Sequence, residues 1–134
     1  MKPGMKAGQE AAIDVVVTPE MYAQFEGNVV HPAYSTVTMV YHMEWAARQI
    51  ILPYIEAHEE GIGAEVKVRH LSPTPAGEQL TVKATLTELV KNKIVCELEV
   101  KHGDTFAGKG EVTQFILPKK DLREKIEQAK TKSV

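Results

Sequence analysis

Three residue types with chemical capacity occupy unusual positions in this chain. Glu44 lies in an apolar stretch. At a helical rotation of about 100° per residue, Val37, Val40, Ala47, Ile51 and Ile55 fall within roughly 60° of it. A carboxylate on such a face is costly unless it is paired or put to use. The ordinary alternative is an i,i+4 ion pair with Arg48, in the favourable Glu-before-Arg order. His70 closes an alternating segment, in phase with Val66 and Val68, and is expected to point inward. A lone inward histidine serves either as a hydrogen-bonded core residue or as a proton carrier. Thr36 stands at the start of the apolar stretch, where Ser35 or Thr36 is expected to cap a helix. Free backbone N–H groups and the positive end of the helix dipole also face outward there, so a developing oxyanion would be stabilised.

Other chemistries find little support. His31 precedes Pro32, His42 is expected mid-helix, and His58 and His102 fall in polar or turn segments. No HxH, HExxH or Cys/His spacing suggests a metal, and no Gly-rich phosphate loop or GxSxG elbow is present. Cys96 is the only cysteine, too few for an internal disulfide or a cysteine zinc site. It reads as a small apolar strand residue in a reducing cytoplasm.

These residues need elements to hold them. Ile13, Val15, Val16 and Val17 predict a strand over 12–18. A loop is expected over 20–34, with Gly27, Asn28 and Pro32 as breakers. A helix follows to about residue 55, its last turn bent or ended by Pro53. Residues 58–63 read as a polar connection. The period then changes to two: Val66, Val68 and His70, then Leu80, Val82, Ala84 and Leu86, then Ile94, Cys96, Leu98 and Val100. Strands are expected near 79–90, 93–101 and 105–117, with turns at Lys91-Asn92 and His102-Gly103-Asp104. Gly108 and Gly110 share one strand face and would let another element approach the sheet closely. Residues 119–130 read as a charged surface helix. This is an α+β inventory: one antiparallel sheet wrapped around one long helix that is apolar on most of its circumference.

The bulk numbers agree. At 134 residues the chain fits one domain, spanning 1–134, with enough length for a real core. The hydrophobic fraction is 43% and the charged fraction 25%, both ordinary for a globular protein. A net charge of -2 gives no electrostatic case for nucleic acid. Glu44 and Arg48 interrupt the most apolar stretch, so it reads as a buried helix and not a membrane span. The first ten residues contain no apolar run, so a signal peptide is not expected.

The segment Tyr34-Ser35-Thr36-Val37-Thr38-Met39-Val40-Tyr41-His42-Met43-Glu44-Trp45-Ala46 resembles the fluoroacetyl-CoA thioesterase-like branch of the hotdog superfamily. So do the opening Met1-Lys2-Pro3-Gly4-Met5-Lys6-Ala7-Gly8 and the stretch Gly63-Ala64-Glu65-Val66-Lys67-Val68-Arg69-His70, with Pro73, Pro75 and Gly77 after it. The resemblance covers nearly the whole chain. It implies a hotdog fold and a thioesterase acting on a short or small acyl-CoA, with no metal or redox cofactor. It places the family's catalytic threonine, glutamate and histidine on Thr36, Glu44 and His70, and the glycine near the thioester on Gly63. The phenylalanine lid of the fluoroacetyl-specific member corresponds to Val30, with Tyr34 or Phe25 as substitutes, which argues against fluoroacetyl specificity. Two other readings stay open: a non-catalytic acyl-CoA-binding module, and a hotdog hydratase or dehydratase. The latter resembles an aspartate–histidine loop motif that here finds only Asn28 and His31.

A geometric consequence concerns assembly. Thr36 and Glu44 are eight residues apart, or roughly 12 Å along a helix axis. To serve one thioester, either the helix starts after Thr36 or a partner chain supplies one of the two. Open sheet edges and the resemblance both imply a homodimer or higher homo-oligomer.

Overall fold

Alternation in the second half produces the sheet. In the computed structural model, which describes residues 1–131, five antiparallel strands run in the order β1-β5-β6-β7-β4. They are β1 (Glu10–Val16), β4 (Glu59–His70), β5 (Gln79–Val90), β6 (Lys93–His102) and β7 (Thr105–Pro118). The inward positions of β5 and β6 (Leu80, Val82, Ala84, Leu86, Ile94, Cys96, Leu98 and Val100) are all essentially buried. Cys96 is among them, and burial pushes its thiol up to about 11, so it is unreactive filling.

The concave face holds α1 (Thr36–Ile51). Its buried stripe of Met39, His42, Met43, Ala46, Ala47, Ile50 and Ile51 has the i,i+3/i+4 spacing of a core-facing helix. Ser35 is the N-cap, its hydroxyl accepting from the Thr38 N–H at 3.0 Å, so Thr36 is the first helical residue. The helix ends at Ile51, a turn earlier than the expected 55. Pro53 lacks an N–H, and the Tyr54 and Ile55 amides fold back onto the Ile51 carbonyl.

The two glycines of β7 let α1 sit low on the sheet. A Cβ at Gly108 would strike the Met39 sulfur, and one at Gly110 would meet Met43 Sδ at 2.9 Å. The close approach expected from these glycines is therefore made by the helix itself.

Two segments differ from expectation. Residues 20–34 are no loop: a 3₁₀ turn (Pro19–Met21) leads into the two-stranded hairpin β2 (Tyr22–Phe25) and β3 (Asn28–Tyr34). Glu26 and Gly27, with φ of 51° and 80°, make its two-residue turn. Pro32 is tolerated because, among the described residues, β3 pairs with a strand on one side only. Residues 59–63 are no polar connection either but the start of β4, opposite Pro118, Leu117, Ile116, Phe115 and Gln114. A bulge beyond Gly63 shifts the register, and Ala64 is exposed. The charged helix α2 (Lys119–Thr131) lies on the surface as expected, and residues 132–134 of the anticipated domain lie outside the described residues. Among the described residues no helix is long and apolar enough to cross a membrane.

Candidate active site

Helix seating and strand register together bring Thr36 to His70. Met39 rests on Gly108, and Gly108 pairs with His70 across β7 and β4. One helical turn before Met39 is Thr36, and its hydroxyl lies 2.9 Å from His70 Nδ1. The two residues are 34 apart in sequence. Thr36 is exposed, while His70 sits behind it with a buried Nε2 that has no hydrogen-bond partner among the described residues. Burial holds the His70 imidazole below its ordinary pKa of 6.5, opposed by a Ser72 backbone contact and reinforced by the nearby His31. The imidazole is therefore neutral near pH 7 and can accept a proton.

This pair lines a cavity of about 530 Å³, walled by the hairpin and the start of α1. Val30, 60% exposed, and Phe25 from the hairpin face it, as does His31. Tyr34 also lines it but is only 1% exposed, with its hydroxyl 2.6 Å from His42 Nδ1. Thr36 and Val37 occupy the first turn, where backbone N–H groups lack intrahelical acceptors. The site thus combines a hydroxyl, a neutral imidazole and an oriented dipole within an apolar enclosure.

Glu44 is elsewhere. It is exposed on α1 and lines a separate cleft with Gly63 and Arg48. A Cβ at Gly63 would lie 3.2 Å from Glu44 Oε1, so the glycine makes room for the carboxylate. The alternative, an i,i+4 ion pair with Arg48, is not formed. Arg48 instead bonds the Glu60 carboxylate at 2.9 Å, since β4 begins early enough to present Glu60 to it. The expected apolar face around Glu44 also divides: Ala47 and Ile51 are buried, but Val37 is 74% exposed. Because α1 starts at Thr36, about 12 Å of helix separates Thr36 from Glu44.

Two features escaped the sequence. The Tyr34–His42 bond was hidden because His42 was read as an ordinary mid-helix residue. Its phase with Met39, Ala46 and Ile50 would have marked it as buried. Glu56, His58 and Glu59 also gather, with potential ligand atoms within 4.8 Å, but both carboxylates bond the terminal ammonium of Met1.

Comparison with known proteins bears on these observations. The profile of the family described as fluoroacetyl-CoA-specific thioesterase matches residues 17–120. A fluoroacetyl-CoA thioesterase of Streptantibioticus cattleyicolor is 28% identical, over 96% of either chain. Among solved structures, a hypothetical protein of Thermus thermophilus, described as a thioesterase superfamily member, superposes with a TM-score of 0.92. It is 38% identical, over 97% of this chain and 96% of its own. A hot-dog-like protein from Thermanaerovibrio acidaminovorans, 15% identical, shares the fold with a TM-score of 0.85, over 96% of this chain and 93% of its own.

Proposed function

This chain belongs to the fluoroacetyl-CoA-specific thioesterase family, and from that premise we propose that it hydrolyses a short acyl-CoA thioester to the free acid and CoA with Thr36, His70 and Glu44. The observation that carries the residue assignment is the 2.9 Å contact between Thr36 Oγ1 and His70 Nδ1 at a helix N-terminus. The thioester carbonyl would lie over the first turn of α1, where backbone N–H groups favour its developing oxyanion. Thr36 hydrogen-bonds the substrate, and His70 relays to the leaving sulfur the proton that the hydrolytic water gives up. Glu44 either attacks the carbonyl carbon, giving a mixed anhydride that water then opens, or takes a proton from the attacking water. In both routes the C–S bond breaks, a C–O bond forms and CoA leaves as the thiol. Gly63 leaves the carboxylate room to reach the thioester.

The distance between Thr36 and Glu44 supports a homodimer in which one protomer supplies the Thr36–His70 pair and its partner Glu44. The single buried cysteine suits a reducing compartment, so the cytoplasm is the proposed setting. No metal or redox group enters the proposed steps.

The test is release of free thiol from a panel of short acyl-CoAs. Turnover is expected, and Thr36→Ala and His70→Ala should each lower kcat by about 10²-fold or more. With Val30 at the hairpin position that faces the cavity, kcat/KM for fluoroacetyl-CoA should stay within about 10²-fold of acetyl-CoA. Binding without thiol release would instead identify a capture module.

A further inference from the structure

We propose that Tyr34 and His42 form a buried positioning pair that holds the His70 imidazole against Thr36; the proposal rests on the thioesterase reading only for its kinetic consequence. Tyr34 and His42 are 1% and 3% exposed, yet both carry polar groups. Burying such groups is unfavourable unless they satisfy each other, and these do so at 2.6 Å. Burial pushes the Tyr34 phenol far above its ordinary value of 10.0 and the His42 imidazole below 6.5. Both groups therefore stay neutral, and with His42 in its Nε2–H tautomer the phenol donates to Nδ1. The two rings are nearly parallel, 4° apart in plane, so the bond fixes both.

The pair reaches the site through Tyr34. Its ring stands edge-to-face with His70, at a centroid distance of 6.3 Å and 75° between planes. That separation is within the range of favourable aromatic contacts. The other end of Tyr34 is also held, since its backbone N–H donates to the Thr74 carbonyl at 2.9 Å. A side chain fixed at backbone and hydroxyl makes a rigid wall for the imidazole. The Nε2 of His70 has no hydrogen-bond partner among the described residues. Its ring orientation therefore depends on the Thr36 contact at Nδ1 and on packing, to which Tyr34 contributes this ring contact. Neither Tyr34 nor His42 touches the reacting atoms in this scheme; both act through His70.

The experiment follows the His70 imidazole by ¹⁵N NMR, alongside steady-state kinetics, in five proteins: the parent, Tyr34→Phe, His42→Leu, His42→Asn and the double variant Tyr34→Phe/His42→Leu. Tyr34→Phe and His42→Leu should shift the His70 Nδ1 resonance away from its hydrogen-bonded position. They should lower kcat about ten-fold with KM changed less than about two-fold, since small misplacements act on the chemical step. His42→Asn, whose side-chain oxygen can accept from the phenol, should keep both the resonance and kcat near the parent. In the double variant an apolar pair replaces a polar one, so folding should be retained. Its His70 resonance should nevertheless stay displaced, which separates positioning from stability. An unchanged His70 resonance in the folded double variant would overturn the proposal, as would unchanged resonances in both single variants. A parent without thioesterase turnover would refute the functional reading alone, because the resonance still reports whether the pair holds His70.

Discussion

Glu44 offers the sharpest residue-scale test, because the structure removes its structural explanation. Arg48 is held by Glu60, so deleting the Glu44 carboxylate strands no cation. Glu44→Ala should therefore leave the melting temperature within about 2 °C of the parent, as for an exposed surface substitution. Turnover should fall by about 10²–10⁴-fold, the range for loss of a general base. A large drop in melting temperature with turnover preserved would reverse the assignment. His70 gives a second test. Its neutral form is the active one and burial lowers its pKa, so the acid limb of kcat/KM should have its midpoint below 6.5. The same shift has a consequence for stability. Unfolded histidines bind protons that buried His70 and His42 refuse, so their contribution is full above 6.5 and is lost as pH falls through the folded values. A kinetic midpoint above 6.5 would show that a charged partner, and not burial, governs His70.

At the scale of elements, the seating of α1 on β7 decides where Thr36 goes. A Cβ at Gly108 would meet Met39 Cε at 2.7 Å and the Arg69 carbonyl at 3.1 Å. Gly108→Ala should therefore lift the first turn of α1 and cost about 1–3 kcal/mol of stability, measured by denaturant unfolding. The Thr36–His70 contact should lengthen with it, so kcat should fall further than stability alone explains. The helix, its cap region and strands β5 to β7 were legible because their hydrophobic periods are unbroken. The β2–β3 hairpin was not. Gly27, Asn28 and Pro32 are breakers by type, but here Gly27 makes the turn and the other two sit in a strand. The start of β4 was missed for a related reason. Gly61 and Gly63 look like loop residues, yet each clears space for a helix side chain, Ile51 and Glu44 respectively. Thr36, Glu44 and His70 were visible one by one as odd residues. The pairing of Thr36 with His70 depends on strand register and helix seating, which no local pattern encodes, and Glu44 lies apart from that pair.

At the scale of the whole molecule, the protomer leaves one side of α1 uncovered. Val37, Tyr41 and Trp45 are 74%, 63% and 47% exposed, and Glu44 lies beside them. Large apolar side chains one helical turn apart, exposed together, suit a surface that a ligand or another chain covers. Among the described residues strand β4 has β7 on one side and no strand on the other, so an open sheet edge runs beside the Glu44 cleft. A second copy with two-fold symmetry would cover the helix face and pair the edges in one contact. The proposed sharing of the site requires that this copy bring its own Glu44 to the Thr36–His70 pair, because within one chain Thr36 and Glu44 lie in the same continuous helix. Sedimentation should therefore find no substantial monomer at micromolar concentration. Thr36→Ala and Glu44→Ala should each be inactive alone. In a mixed dimer, one of the two sites would combine a wild-type Thr36 with the partner's wild-type Glu44. Subunit exchange between equal amounts of the two variants gives about half mixed dimers, so about one quarter of the parent activity should return. A fully active monomer would exclude the dimer as the working unit. A stable dimer without rescue would reject only the sharing of Thr36 and Glu44 between chains.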